Sequence, residues 1–478
     1  MKKYILFAIS LLPLSNIFAQ NQFDAADITT SDLNGTARYV GMGGALDALG
    51  GDISVMGSNP AGTAIFKKTD ASFTGSILFT GENGQLGRDD LRASFDQAGI
   101  VFTLPEYNSS NLKTINFGFN YQKKRNFLAN QNTNLHLNGN LSQTNQFADY
   151  INNGRTGMIT DLTPSILDYD EENGYLGVGA QHANYRKSTF GYIGQYDINV
   201  SFNVSNQYFF GMSLGLYDVS SKRDSYYYEY GSDGNEYDIS SWYDTDGSGF
   251  DLKFGFICRP IQTSNFRFGL TVHTPTWFRL TDINESGISL NNYDRVYPDY
   301  YPSEYEYDYR TPWKFGLSLG HTVRNNFAFG AQYEISDLST SKYNSIDWEN
   351  DEYFSIMNHF IKDHLKTQHS IKLGMEYKPV KNLALRCGYN YVSSPIKEDA
   401  QKSSVYNGYS CETDYTNWKG TNRFTLGLGY RYNGGYFDLA YQYQTQKGDF
   451  YAFTDEKLHS KEISNNRSQI MATLGFRF

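Results

Sequence analysis

The chain has 478 residues, a net charge of −10 and 16% aromatic side chains, with 40 Tyr and 33 Phe but only 3 Cys. Residues 21–478 contain no apolar run near the roughly 18–20 residues of a membrane-spanning helix, which excludes a helical transporter or receptor. The aromatic content argues against a disordered chain, and the acidic balance argues against a strongly basic nucleic-acid-binding protein. We therefore expect no nucleic-acid partner.

Residues 1–20 have the pattern of a secretory signal peptide. Lys2 and Lys3 form a positive n-region, residues 4–14 form an apolar h-region, and Ala19 is a small residue before the predicted cleavage point. No cysteine follows the apolar region, so a lipoprotein anchor is not expected. The cysteines follow no disulfide or zinc spacing, and we predict neither a disulfide framework nor a metal site.

The next segment, residues 21–68, is rich in glycine and lacks a strand pattern. It contains 8 glycines among many other small residues. A segment of about 48 residues is too short to build an independent core without disulfides or a metal. We therefore predict that it lies inside a larger structure, where small residues allow close packing and glycine allows turns with positive φ.

From residue 69 onward, segments of about ten residues alternate apolar and polar side chains, which predicts strands with two different faces. In the last segment Ile470, Leu474 and Phe476 share one face, while Gln469 and Thr473 share the other. The fourteen segments are roughly 69–79, 96–104, 113–124, 190–204, 207–219, 249–260, 265–275, 311–323, 326–338, 367–378, 382–393, 421–432, 434–446 and 467–478.

The connections between these segments alternate between mostly short turns and long loops. An even number of strands with short turns at one end and long loops at the other is typical of a bacterial outer-membrane barrel. Only helices and closed barrels satisfy all backbone groups in lipid. We therefore predict an all-β protein in which residues 69–478 form a 14-stranded antiparallel transmembrane β-barrel. Its expected partners are outer-membrane lipid and the barrel assembly machinery, because the chain ends on an aromatic strand at Phe478.

The alternative is a large soluble β-sandwich or propeller, which would bury one strand face against a second layer. The polar face of the predicted strands carries bulky ions near its middle, among them Lys253, Lys314 and Glu334. These ions, the signal peptide, the unequal loops and the terminal phenylalanine together favour the barrel. A barrel of fourteen strands is wider than one that its own side chains fill, so it needs a plug or becomes a pore.

A family resemblance is carried by residues 35–66, GTARYVGMGGALDALGGDISVMGSNPAGTAIF. The GMGGA block at residues 41–45 and the motif Asn59-Pro60-Ala61-Gly62 resemble the N-terminal hatch of the FadL/TodX family of outer-membrane transporters for hydrophobic compounds. The resemblance implies a fourteen-stranded barrel with residues 21–68 as a hatch, or plug, inside the lumen. It also implies capture of a hydrophobic ligand near the extracellular loops and lateral exit beside a kinked third strand.

The resemblance assigns hatch gating to Asn59, Pro60, Ala61 and Gly62. It assigns lateral exit to the region of Gly118, the one residue of the third segment that would ease a kink. The alternative for the hatch motif is a structural turn, in which Asn59 caps backbone groups and Pro60 fixes φ.

The polar faces of the strands suggest how a charged ligand would be held. Arg386, Arg423 and Lys372 are predicted to face the lumen, where they would match a ligand carboxylate. The alternative is that these cations pair with Glu376 and Glu334. No Gly-x-Ser-x-Gly motif or other nameable catalytic set occurs, so we expect neither catalysis nor a cofactor.

The resemblance thus implies passive outer-membrane transport of hydrophobic small molecules, with long-chain fatty acids or related lipids as the expected ligands. A second hypothesis is a non-transport, FadL-like scaffold or shuttle component of protein secretion, and an outer-membrane enzyme ranks third. Residues 353–365 are expected to form a short amphipathic helix within one of the long loops.

Overall fold

The computed structural model describes residues 20–80, 91–105, 111–154, 158–291, 294–297, 302–324, 326–346, 351–402 and 411–478. Apart from Gln20, the predicted signal peptide lies outside these residues. Among the residues that are described, no helix has the length and apolar character needed to cross a membrane.

The helices are short and flank or fill the sheet. The α-helices are α1 (Gln22–Thr29), α2 (Ala37–Gly41), α3 (Gln143–Asn152), α4 (Met158–Leu162) and α5 (Asp351–His364). Short 3-10 helices cover Ile53–Gly57, Pro60–Ile65, Thr163–Ile166 and Leu338–Thr340. The helix expected over residues 353–365 is confirmed as α5.

Strands make up most of the remaining described chain. They are β1 (Asp70–Thr80), β2 (Leu91–Pro105), β3 (Leu112–Asn126), β4 (Ala129–Leu141), β5 (Asp168–Asp170), β6 (Gly174–Leu176), β7 (Ala180–Val204), β8 (Tyr208–Gly231), β9 (Glu236–Cys258), β10 (Arg267–His273), β11 (Trp277–Leu290), β12 (Ser303–Arg310), β13 (Lys314–Val323), β14 (Phe327–Asp337), β15 (Lys342–Asn344), β16 (Thr367–Val380), β17 (Leu383–Val392), β18 (Tyr415–Tyr432), β19 (Gly435–Tyr451), β20 (Lys461–Ser464) and β21 (Arg467–Arg477).

These strands form one closed antiparallel barrel, with β5 and β6 as a separate hairpin. Within the described residues the wall has fourteen positions, of which five consist of two consecutive strands: β3 with β4, β10 with β11, β12 with β13, β14 with β15, and β20 with β21. The wall closes where β21 pairs with β1 along its whole length, from Asp70 opposite Arg477 to Thr80 opposite Arg467. The predicted fold class is confirmed.

The outer surface of the barrel is apolar. On β18, Phe424, Leu426 and Leu428 are exposed. Arg423 and Thr425, which alternate with them along the strand, are buried toward the lumen. A closed barrel leaves no unpaired strand edge, so its apolar outer surface suits the hydrocarbon of a bilayer. The chain is an outer-membrane barrel.

The wall is much taller on one side than the sequence suggests. The segment 220–248 is expected to be a long loop, but β8 and β9 continue through it and turn only at residues 232–235. β7, β8 and β9 have 25, 24 and 23 residues, against roughly 9–11 for a strand that just crosses a bilayer. Polar pairs such as Lys222 opposite Asp244 continue the ladder where the lipid-facing pattern ends.

The N-terminal segment lies inside the barrel and runs along its length. α1 packs beneath α5 at the end with the long loops, in a buried cluster that includes Tyr307, Tyr343 and Phe354. Residues 30–34 then cross the lumen, and α2 with the first two 3-10 helices fills the end with the short turns. By the topology of outer-membrane barrels these are the extracellular and periplasmic ends, respectively.

The hatch backbone lies directly against inward-facing glycines of the barrel wall, where no side chain intervenes. A side chain at Gly330 would collide with the carbonyl oxygen of Ala45, and one at Gly374 would collide with that of Met42. The inward-facing glycines at these positions therefore make room for the hatch backbone.

Candidate functional site

The hatch motif forms a tight, fully buried turn. Asn59 is the N-cap of the 3-10 helix Pro60–Ile65, and its Oδ1 accepts a hydrogen bond of 3.1 Å from the Ala61 backbone nitrogen. Gly62 is close to the hatch residue Val55, whose side chain leaves no space for a Cβ. The capping geometry agrees with the structural reading of the motif, while its gating role stays a prediction.

Two of the cavities in the described part of the lumen lie one above the other. The upper cavity, toward the extracellular end, has a volume of about 200 Å³ and is lined by α1, β3, β4 and the loop-side ends of several strands. The lower cavity has a volume of about 140 Å³ and lies between the hatch and the barrel wall. Asp32, Gln368, Val392 and Arg423 line both cavities and form the boundary between them.

An ion pair lies at this boundary. Arg423 approaches Asp32 at 3.5 Å and donates further hydrogen bonds to Asn390 and Gln444. Burial acts to raise the pKa of the Asp32 carboxyl, but Arg125, Arg467 and Arg423 outweigh it and lower the pKa overall. Asp32 therefore carries a stable negative charge between the two cavities.

The other two predicted carboxylate-binding residues are engaged by carboxylates of the protein itself. Lys372 pairs with Glu334 at 2.9 Å, and Arg386 pairs with Glu376 at 2.7 Å and with Asp438 at 2.5 Å. This is the pairing that the sequence left open as the alternative. A ligand would therefore have to compete with these pairs for Arg386 or Lys372.

Two other lysines line the lower cavity without such partners. Lys124 lies 4.5 Å from the centre of the Tyr217 ring, and neither it nor Lys314 has an ion pair or hydrogen bond to its ammonium group among the described residues. The carboxylates that attract them, Asp251 and Glu334, are already bonded to Lys253 and Lys372. The lower cavity thus has two lysine side chains that no described carboxylate bonds and that are available to an anionic group.

The barrel wall divides beside the upper cavity. β2 and β3 pair from Pro105 opposite Thr114 to Gln97 opposite Gln122, and beyond that point β2 stays with β1 while β3 stays with β7. We call this divergence of β2 from β3 the split. Asn126, one of the first residues beyond it on β3, lines the upper cavity, so the cavity reaches the divided part of the wall.

Residues 32–34 of the hatch cover the split from inside. The Asp32 backbone nitrogen donates to the Lys124 carbonyl at 2.9 Å, and the Asn126 nitrogen donates back to Asp32 Oδ2 at 2.9 Å. Asn34 Nδ2 donates both to Lys123 O on β3 and to Asp96 Oδ1 on β2, each at 3.1 Å. The hatch therefore joins the two diverging edges.

The kink predicted at Gly118 is not found there. Gly118 lies in an unbroken ladder, opposite Val101 of β2 and Asn199 of β7. A side chain at Gly118 would collide with Met56 of the hatch, so glycine serves close packing rather than bending. The pairing of β3 with β7 is irregular between Leu112 and Thr114 and between Lys123 and Arg125, the second of which is close to the split. The exit role of Gly118 stays a prediction.

No protein-family model matches the chain, and no curated protein sequence matches it. Solved structures, in contrast, match the chain over nearly its whole length. A Pseudomonas aeruginosa FadL homologue aligns with 94% of this chain and 100% of its own, at 11% identity and a TM-score of 0.54. The Pseudomonas putida toluene transporter TodX aligns over 94% and 99%, at 14% identity and a TM-score of 0.54. The CymD monoaromatic hydrocarbon channel aligns over 93% and 98%, at 11% identity and 0.54.

This chain has the FadL/TodX fold. The structural likeness extends over nearly the whole chain, although the sequence identity to each of these structures is low. It confirms the fold that the hatch motif of residues 35–66 suggested.

Sequence reasoning within this FadL/TodX fold missed the residues that close the split. Asp32 and Asn34 belong to a segment with no strand pattern, so nothing in the sequence pairs them with β3. Lys124 ends the third predicted segment, and Lys314 was noted only as one of several lumen ions.

Proposed function

We propose that this chain is a passive outer-membrane transporter of hydrophobic small molecules. Proteins of the same fold are described as a toluene transporter and a monoaromatic hydrocarbon channel. The observation that carries the proposal is the upper cavity, which lies inside the barrel and reaches the split, where residues 32–34 bond to the two diverging strands. Catalysis is not part of the proposal.

We further propose a ligand with a carboxylate, as in a long-chain fatty acid. A purely hydrocarbon ligand gives no compensation to buried cations, and an uncompensated buried charge is strongly unfavourable. Lys124 and Lys314 are the described cations of the lower cavity that lack a bonded acidic partner. An acyl chain in the upper cavity with its head group toward the lower one would supply the missing negative charge.

The proposed route has two steps. A ligand first enters the upper cavity from the extracellular end. It then leaves sideways into the outer leaflet when residues 32–34 release β2 and β3. Asn59, Pro60, Ala61 and Gly62 hold the remainder of the hatch against the wall, so the local movement of residues 32–34 does not require the whole hatch to leave.

The test is uptake of labelled oleate by liposomes that contain the purified protein, compared with liposomes without it. Faster uptake with the protein supports transport, and equal rates contradict it and favour the secretion-scaffold hypothesis. The double variant Lys124→Met and Lys314→Met should slow oleate uptake about tenfold or more while leaving toluene flux unchanged, because one lost charge contact typically corresponds to 1.5–3 kcal/mol.

The matched control is Lys457→Met, which removes an exposed lysine from an extracellular loop. If the control slows oleate uptake as much as the double variant, the lower cavity is not the head-group site. Mass spectrometry of lipid that copurifies with the barrel gives an independent result. A fatty acid supports the proposed ligand class, and a neutral hydrocarbon contradicts it.

A further inference from the structure

Gln20, the first described residue, is buried inside the barrel at the extracellular end. Only 1% of its surface is exposed. Its side-chain Nε2 donates a 2.5 Å hydrogen bond to Asp282 of β11, and its carbonyl oxygen accepts one of 2.9 Å from the Tyr353 hydroxyl on α5. Asn21 directly after it caps α1. The start of the plug is thus fixed on several sides by the barrel and its loops.

Asp282 lacks the counter-ion that a buried carboxylate needs. It is 1% exposed, and its Oδ2 accepts hydrogen bonds from Gln20 and from the Tyr243 hydroxyl at 2.6 Å. Its Oδ1 has no hydrogen-bond partner, and no described cationic side chain forms an ion pair with it. A buried charge without a paired cation is destabilising by several kcal/mol, so a positive group beside Asp282 would stabilise its ionised form.

We propose that the missing cation is the α-ammonium group of Gln20, which is created when the signal peptide is removed. Hydrolysis of the Ala19–Gln20 peptide bond adds one water. Its oxygen completes the Ala19 carboxylate, and the nitrogen of Gln20 becomes an amine that takes up a proton near neutral pH. The new charge arises on the residue that already contacts Asp282.

The charges around Gln20 explain why this ammonium group needs a carboxylate beside it. It lies at the N-terminus of α1, where the helix dipole already places partial positive charge and disfavours a cation. Asp24 in the first turn of α1 accepts a hydrogen bond from Asn21 and pairs with Arg223 at 3.0 Å. Asp282 is therefore the carboxylate near Gln20 that remains available.

Removal of the signal peptide and insertion of the plug into the barrel are therefore coupled. A chain that retains extra residues before Gln20 carries a neutral amide in place of the ammonium, and it leaves Asp282 without its partner. The proposal places the cleavage directly after Ala19, one residue before the end of the segment 1–20 that has the signal-peptide pattern, so that Gln20 begins the plug. It is independent of the transport proposal, because it concerns how the plug is seated and not what the barrel carries.

The first experiment compares two purified, refolded barrels. One begins at Gln20 after removal of a cleavable tag, and the other has Gly-Ser added before Gln20. We expect the extension to lower the thermal midpoint by at least about 2 °C. This difference should vanish in an Asp282→Asn background and persist in an Asp246→Asn background, where an exposed aspartate of β9 is changed. Equal midpoints, or an unchanged difference with Asp282→Asn, overturn the proposal.

Two further measurements keep the proposal testable if Asp282→Asn fails to fold. Acetylation of the Gln20 amine should be about tenfold or more slower in the folded barrel than in the unfolded chain, whereas equal rates overturn the proposal. The intact mass of protein isolated from outer membranes should match residues 20–478 with a free amine. A mass lower by one ammonia, which indicates cyclised glutamine, overturns it, as does a different first residue.

Discussion

The amide nitrogen of Asn34 lies 3.1 Å from the Asp96 carboxylate, and through this contact the plug holds the edge of β2. The same amide group also reaches the carbonyl oxygen of Lys123 on β3. One side chain of the hatch therefore bonds to both sides of the split. Together with the hydrogen bond from Lys123 Nζ to Ser94 of β2, this link bears directly on how often the wall opens in the proposed route.

Asn34→Ala should increase ligand flux through the barrel. The substitution removes hydrogen bonds that typically contribute about 1 kcal/mol each, so the open population should rise by about fivefold or more. The measurement is oleate uptake by proteoliposomes. Asn153→Ala, at an exposed position after α3, is the matched control and should leave uptake unchanged. Unaltered uptake with Asn34→Ala would show that the split is not the exit.

Gly374→Ala should loosen the hatch from the wall. The added methyl group collides with the carbonyl group of Met42, and neither backbone can move away freely within the closed lumen. We expect a lower thermal midpoint and faster leakage of small polar solutes from liposomes. Gly75→Ala on β1 is the control, because its Cβ would meet only the Ser94 carbonyl oxygen of β2, at an ordinary contact distance of 3.5 Å. A leak that is the same in both variants would mean that this contact does not seal the barrel.

Asn59→Ala should destabilise the hatch turn, since it removes the cap of the 3-10 helix Pro60–Ile65. Loss of an N-cap typically costs about 1 kcal/mol, whereas Asn59→Ser keeps an oxygen that can cap and should retain most of the stability. The measurement is limited proteolysis of the folded barrel, followed at the hatch. Equal cleavage rates for the two variants would argue against the capping role.

Asp47 should make the free energy of unfolding fall as pH rises. Asp47 lies in the hatch, where burial, reinforced by nearby Glu334 and opposed by Lys372, raises its pKa to about 7 from an ordinary 3.8. Between these two pH values the folded chain holds a proton that the unfolded chain has lost, so stability declines as pH increases through this window. Only one of its oxygens is satisfied, by Ser58 at 2.5 Å.

The test compares urea unfolding at several pH values for the unsubstituted protein and Asp47→Asn. The variant should be the more stable protein above pH 7, and its stability should change less between pH 4 and 7. Asp246→Asn, at an exposed position, should leave the slope of the unsubstituted protein intact. An identical slope in Asp47→Asn would show that another group titrates in this range.

The fourteen wall positions could be predicted because each strand has one face toward lipid and the other toward the lumen. This arrangement makes apolar and polar side chains alternate along the sequence with a period of two residues. β21 and residues 421–432 of β18 show this alternation. The pattern fails beyond the bilayer, where both strand faces contact water or loops. Residues 220–248 were therefore expected to be a loop, although β8 and β9 pair throughout them except at the turn.

The candidate site could be predicted less well from the sequence, because sequence alternation does not show which lumen charges are bonded. Whether a lumen cation is free depends on partners that are distant in the chain: Arg386 meets Asp438, and Arg423 meets Asp32. Strand alternation gives the direction of a side chain but not its neighbour across the lumen. Gly118 illustrates the same limit, since a glycine that bends a strand and one that accommodates Met56 have the same sequence pattern.

The closing seam between β1 and β21 has a consequence for synthesis. The Phe478 nitrogen donates to the Thr69 carbonyl, so the last residue of the chain bonds to the residue just before the first strand. The two edges that meet are thus separated by nearly the entire barrel in sequence, and no partial chain can bury both. A product that ends before β21 would leave the edge of β1 without this partner, and an unpaired strand edge readily pairs with other chains.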